Sequence, residues 1–297
     1  MNKLEINDIC KEYSNGTKAL NGVTLKVKNG MFGLLGPNGA GKSSLMRTIA
    51  GLQSPTSGTV VFNGHTISKD PSQIRQYLGY LPQEFGVYPR MTALDLLNHL
   101  AILKGVINNK ERQDQIESLL VKTNLSEHRK KFVHNYSGGM RRRFGIAQAL
   151  LGNPKVIMVD EPTAGLDPEE RNRFLDVLSE VSSTIIVLLS THIVEDVSVL
   201  CSNMAILSDG QIVKEGRPID LIDKLQGKIW KKQVLKSELP ALKSTHNVIS
   251  TRLFGGKTSA YVFSDQQLSS DFESVSADLE HVYFHVLKTS KNKCHAA

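Results

Sequence analysis

Eight residues constrain this chain more than any others. Gly36 to Ser43, "GPNGAGKS", fit the spacing G-x-x-x-x-G-K-[ST]. They stand between an apolar run, Met31 to Leu35, and a stretch that Leu45, Met46 and Ile49 pattern as a helix. Strand, glycine loop and helix in that order turn backbone N–H groups inward at a helix N-terminus and make an anion nest. Gly36, Pro37, Asn38, Gly39, Ala40 and Gly41 form the loop, and Lys42, Ser43 and Ser44 open the helix. Lys42 can reach β and γ phosphates, and the Ser43 hydroxyl can ligate Mg²⁺. A glycine turn with a chance lysine is the bland alternative, and the flanking strand and helix argue against it. The chain is read as one that binds a nucleoside triphosphate.

Such a loop belongs to an α/β core, and the remaining pattern agrees. Strand character returns at Val156 to Val159, Ile185 to Leu189 and Met204 to Leu207, with "DG" at 209–210 turning the last into Gln211 to Val213. Strands separated by helices predict a parallel sheet. Earlier, Val23, Leu25 and Val27 alternate, and "NG" at 29–30 predicts a hairpin into Met31 to Leu35. A second alternating region, Thr59 to Phe62, ends at another Asn-Gly turn, so an antiparallel β subdomain is expected beside the core. From about Thr92 to Leu151 the pattern is helical. Thr92 and Asp95 resemble a capping box, and Leu96, Leu97, Leu100, Ala101 and Leu103 form an apolar face. The block from about 85 to 151 is therefore read as an inserted helical subdomain. Past residue 223 the character shifts to short strand-like runs at Ile229 to Leu235, Val248 to Phe254 and Ser259 to Phe263, then an amphipathic stretch near Leu279 to Leu287. The expected division is a core of residues 1–222 and a small appended α+β domain of residues 223–297.

Composition narrows the setting. No apolar run approaches the roughly 18 residues needed to span a bilayer, and "MNKLEINDIC" has no apolar signal core. Cys10, Cys201 and Cys294 are scattered and odd in number, which fits a reducing cytosol better than a disulfide framework or a zinc site. Cys294-His295 is too little to read as a metal pair. The net charge of +7 permits contact with nucleic acid or an anionic membrane, although a solvated basic face explains it as well.

In open parallel sheets, ligands bind beyond the carboxyl ends of the strands. Val156 to Val159 runs into Asp160-Glu161, and Ile185 to Leu189 into Ser190-Thr191-His192, so both endings should reach the phosphate loop. Asp160 is placed to hold Mg²⁺, directly or through water. Glu161 can orient and polarise an attacking water, and His192 can sense the γ-phosphate. In "AGLDPEE", residues 164–170, Asp167 suits a helix cap, Pro168 the first helical position, and Glu169 and Glu170 the helix dipole.

"YSGGMRRR", residues 136–143, poses a puzzle. Two glycines and three arginines open a helix, with the first turn expected near Met140, where acidic residues are normally favoured. The order of phosphate loop, "LPQ" at 81–83, "YSGGM", "VIMVDEP", "AGLD" and "STH" resembles the ATP-binding subunit of an ATP-binding cassette (ABC) transporter over roughly residues 1–220. The resemblance implies that Ser137, Gly138 and Gly139 bind the γ-phosphate held by the opposite subunit of a head-to-tail dimer, with Arg141 to Arg143 reinforcing the site or pairing with acidic groups. It implies that Tyr13 stacks on adenine and that Gln83 contacts Mg²⁺ and the attacking water. Glu161 becomes the catalytic glutamate, His192 the switch histidine, and Lys42 the phosphate-binding lysine.

One departure is Met140, where the family usually has glutamine; it implies retuned hydrolysis and resembles a multidrug and antibiotic export subgroup, as does "LEHVYFHVL" at 279–287. The expected assembly is an ATPase at the cytoplasmic face of the membrane, held there by separate transmembrane permease subunits whose cytoplasmic helix seats near Gln83 to Thr92. A second copy of the cassette completes it, an identical chain being expected, and no nucleic acid is expected. The alternatives are a soluble ABC ATPase acting on ribosomes or nucleic acid, which nucleic-acid-stimulated turnover would reveal, and a degenerate ATP sensor. The presence of Lys42, Ser43, Asp160, Glu161 and His192 argues against the sensor.

Overall fold

In a computed structural model of the chain, the described residues are 1–295 apart from 68, 69, 71, 87, 164 and 165. In chain order, β1 (Lys3–Glu12) and β2 (Lys18–Lys28) lead to β3 (Gly30–Leu35), α1 (Lys42–Ile49), β4 (Ser57–Phe62), β5 (His65–Thr66), α2 (Ser72–Arg75) and β6 (Leu78–Leu81). A helical block follows, with α3 (Ala93–Leu103), α4 (Asn109–Lys122) and α5 (Gly138–Leu150). The chain then alternates through β7 (Val156–Asp160), α6 (Pro168–Ser182), β8 (Ile186–Thr191), α7 (Val194–Leu200), β9 (Asn203–Ser208) and β10 (Gln211–Gly216). It ends with α8 (Pro218–Asp223), β11 (Ile229–Val234), α9 (Leu239–Thr245), β12 (Val248–Phe254), β13 (Lys257–Phe263), β14 (Glu273–Ser274) and α10 (Leu279–His295).

The central sheet runs β10-β9-β3-β8-β7-β6, parallel except for β10 at one edge. Its inner strands β7 and β8 are buried at every position, as strands covered on both faces must be. Successive side chains of β3 point to opposite faces. Phe32 and Leu34 join a core with Leu4, Ile6, Leu25, Leu45 and Met46, where α1 and the sheet β2-β1-β4-β5 pack. Met31 and Leu35 join the other core, beside residues of α3, α4, α5 and α6.

One expectation is corrected. Asn29-Gly30 is not a hairpin turn: β2 belongs to the antiparallel sheet, and β3 pairs with β8 and β9. β2 alternates between buried and exposed positions, whereas β3 is apolar on both sides and needs the middle of a sheet. The turn instead carries the chain from one sheet to the next, with Asn29 Nδ2 donating to the Thr184 carbonyl at 2.6 Å. The division expected at 222/223 falls inside α8, and the second core runs across it. Leu221, Ile229, Leu279, Val282 and Tyr283 share that core with Val187 and Met204. α10 packs on α7, α8 and β10 as well as on β12 of the third sheet, β12-β13-β11-β14.

Candidate nucleotide-binding site

The phosphate loop links β3 to α1, and its geometry explains its glycines. Gly41 precedes the helix at φ 105°, where a side chain is strained, and an added Cβ would lie 2.4 Å from the Ala19 carbonyl oxygen. A Cβ on Gly36 would meet the Leu207 carbonyl oxygen at 2.4 Å. Ala40 accepts from Gly210 N–H at 3.0 Å, so the β9–β10 turn braces the loop from behind. α1 has no acidic residue in its first turn and no side-chain cap, which leaves its N-terminal N–H groups for an anion.

A hollow of about 520 Å³ opens over this loop, lined among others by Tyr13, Asn38, Gly39, Gly41, Lys42, Ser43, Ser44, Gln83 and Glu161. Lys42 is only 5% exposed. Its ammonium donates to the Gly36 and Pro37 carbonyls at 2.8 and 3.1 Å and lies 3.5 Å from Glu161 Oε1. Burial pushes its pKa below the usual lysine range, and the carboxylates of Glu161 and Asp160 oppose that shift only in part. At the rim, the Tyr13 hydroxyl is 3.0 Å from Ser44 Oγ and donates to Gln53 Oε1 at 3.2 Å.

The strand ends meet here, as their register requires. Asp160 pairs with Ser190 across β7 and β8. It is 3% exposed, and its Oδ1 has no hydrogen-bond partner among the described residues. Glu161 turns away from the strand at φ 48°, a left-handed conformation rare for a residue with a side chain. Its N–H donates to the Ser190 carbonyl at 2.8 Å. Its Oε1 lies 3.2 Å from His192 Nδ1, so one carboxylate oxygen sits between the loop lysine and the histidine of the neighbouring strand end. Gln83 is exposed and lines the same hollow, and in the loop Gly36 and Ala40 are buried and Pro37 half-buried.

The helix α5 starts at Gly138, earlier than the apolar pattern suggested, because Ser137 caps it: Ser137 Oγ accepts from Met140 N–H at 3.1 Å. Ser137, Gly138 and Gly139 are not among the residues lining the hollow. Gly138 has open space where a Cβ would sit, and Gly139 lies under the carboxylate of Glu170. The three arginines reach main-chain carbonyls. Arg141 donates to His134, Arg143 to Thr123 and Asn124, and Arg142 to Glu161 and Pro162.

Asp167 caps α6 by accepting from Glu170 N–H at 2.8 Å; residues 164 and 165 of the "AGLD" stretch lie outside the described residues, as do the side chains of Cys294 and His295. Sequence reasoning missed a brace behind this segment. Thr163 Oγ1 donates to the fully buried Asp196 at 2.6 Å, and Arg171 pairs with Asp196 and Glu195. The signal was thin: an aspartate in a helix's first turn reads as dipole complement before it reads as an anchor.

With fold and site in view, a family model described as "ABC transporter" matches residues 20–164. The linearmycin resistance ATP-binding protein of Bacillus subtilis is 34% identical over 226 residues, 75% of this chain and 72% of that protein. The Nod factor export ATP-binding protein I of Cupriavidus pinatubonensis is 35% identical over 222 residues, 74% of this chain and 68% of that protein. A dimeric structure of a bacterial ABC transporter cassette superposes with a TM-score of 0.67 at 26% identity, over 72% of this chain and 98% of that one. The same cassette as a post-hydrolysis dimer with ADP and inorganic phosphate gives 0.66 at 26% identity, with the same coverage. The chain belongs to the ABC transporter family, as one of its ATP-binding proteins, and is an ATPase of that class. A ribosomal or nucleic-acid role finds no support among these relatives.

Proposed function

We propose that this chain powers an exporter: two copies sandwich ATP head to tail, and hydrolysis separates them beneath separate transmembrane permease subunits at the cytoplasmic membrane face. The observation that carries the reading is spatial. One hollow gathers the loop, Lys42, Gln83 and Glu161, whose carboxylate lies beside His192, while Ser137, Gly138 and Gly139 open a capped helix outside its lining. A phosphate site without its own nucleotide hollow is half of an interface. Among the described residues, no helix is long and apolar enough to cross a membrane, in keeping with a partner that does. Export follows the relatives named for resistance and export.

The residues take these roles. Lys42 and the N–H groups of Gly39 to Ser44 hold the phosphates, and Tyr13 packs on the base. Asp160 Oδ1, buried without a partner, the Ser43 hydroxyl and Gln83 are the hard oxygen donors that Mg²⁺ takes. When bound, that ion would neutralise charge developing on the phosphates. Glu161 orients the attacking water as a general base, and His192 steadies both its carboxylate and the γ-phosphate. Met140 leaves the serine, glycines and N–H donors of α5 in place, so hydrolysis is retuned and not lost.

The test is Glu161→Gln. It should cut turnover by about 10² or more while ATP binding persists, and sizing in ATP should show a dimer. A chain that stays monomeric in saturating ATP would count against the sandwich.

A further inference from the structure

Arg142 stands two residues past Met140, on the helix whose first turn is proposed to meet the other copy's phosphate. Its half-buried guanidinium donates through Nη1 to the carbonyl oxygens of Glu161 and Pro162, at 3.0 and 2.6 Å. Glu161 is thereby held through both sides of its peptide. Its N–H is fixed by the Ser190 carbonyl and its C=O by Arg142, and between them it keeps a left-handed φ of 48°. That conformation is costly for a residue with a side chain and persists only where the surroundings over-determine it. The carboxylate direction, toward Lys42 and His192, follows from it. Bonds from a charged donor in a half-buried setting are strong enough to carry a displacement.

We infer that Arg142 is a positioning residue that couples the two nucleotide sites: it transmits the seating of α5 on the partner's nucleotide to the carboxylate that serves the chain's own. The inference rests on the head-to-tail reading. In that arrangement α5 belongs to one site and Glu161 to the other, and Arg142 bridges them within a single chain. A shift of α5 moves the Glu161 carbonyl, and a displacement of about 1 Å in a catalytic group costs about 10²-fold in rate. Each site then turns over fully only when its neighbour is filled.

The full-length chain is assayed for ATP turnover as wild type, Arg142→Ala, Arg142→Lys and Arg143→Ala. The last removes the donor to the Thr123 and Asn124 carbonyls. Expected for Arg142→Ala are a kcat at least about 10-fold lower, a KM for ATP changed by less than about 2-fold, and a Hill coefficient that falls from above 1 to 1. Arg142→Lys should recover part of kcat and of the Hill coefficient, and Arg143→Ala should keep the wild-type Hill coefficient. Should Arg142→Ala fail to fold by its thermal midpoint, Arg142→Lys and Arg142→Gln carry the comparison, with Gln expected to be the weaker. A wild-type Hill coefficient of 1, or an Arg142→Ala enzyme as cooperative as wild type, overturns the coupling. Glu161→Gln, sized in ATP alongside, separates the two claims. A monomer there removes the sandwich and the coupling together, whereas a dimer with unchanged cooperativity in Arg142→Ala removes the coupling alone.

Discussion

Lys42 carries opposed demands. Its proposed role of holding phosphates needs its charge, yet burial favours its neutral form and lowers its pKa from 10.5. The sign follows. Without nucleotide, the folded chain bears a penalty for the charge below the folded pKa, and the penalty is relieved as pH rises from there toward 10.5. Bound phosphates restore the preference for charge, so ATP affinity should weaken at a lower pH than an ordinary lysine would dictate. A binding titration against pH checks this, and an affinity flat up to 10.5 would contradict it. Gly41→Ala should destabilise by about 1–3 kcal/mol through its positive φ alone, and should also lose ATP binding, since the Cβ collides with the Ala19 carbonyl. Calorimetry and nucleotide titration together test it. These residues were legible in sequence because motif spacing and chemistry coincide. Arg142 and Asp196 were not, because their partners are carbonyls and side chains from remote segments that no local spacing reveals.

At the scale of elements, periodicity located most strands and helices, and the errors lie where tertiary demands override a local signal. The Asn-Gly pair at 29–30 has the chemistry of a hairpin turn, but β3 is apolar on both faces and is drawn to the central sheet. α5 begins at Gly138 because a capping serine outweighs the poor helix propensity of two glycines. α10 anchors its own start. Asp278 accepts from His281 N–H and Nδ1 lies 2.8 Å from it, with Arg252 also near. Burial would raise the Asp278 pKa, but the His281 and Arg252 contacts outweigh it and hold the carboxyl at about 2. Its stabilisation is therefore present above 3.8 and is lost as pH falls from there through about 2. The carboxylate is half exposed, so its contribution is discounted to about 0.5–1 kcal/mol. Asp278→Asn should lower the thermal midpoint by about 1–4 °C at neutral pH, with the gap to wild type closing under acid. A gap independent of pH would sink this account.

Across the whole molecule, the second core decides how the parts depend on one another. Leu279, Val282 and Tyr283 of α10 lie in the same apolar cluster as Val187, Met204 and Ile206 of the central sheet. A chain cut after residue 222 should therefore unfold at a lower temperature or aggregate, because it strips cover from α7, α8 and β10. A truncated chain with the full-length midpoint and ordinary ATP binding would mean that the tail is separable. For the proposed assembly, tagging the chain and solubilising membranes gently should bring down a multi-span membrane protein in fixed ratio; ribosomes or nucleic acid in its place would move the cassette to cytosolic work.

The central claim is that the phosphate loop of one copy works with the α5 N-terminus of the other, and complementation tests it most directly. Lys42→Ala spoils every loop and Ser137→Arg spoils every α5 site, so each variant alone should be inactive. A mixed dimer holds one composite site with both halves intact. Mixing the two variants under conditions that allow exchange should restore ATP turnover above the sum of the separate samples, though to less than half the wild-type rate, because the neighbouring site stays empty and the α5 coupled to the intact site is unseated. Turnover no greater than that sum, with mixed dimers demonstrably formed, would mean that loop and signature act within one chain and would contradict the account.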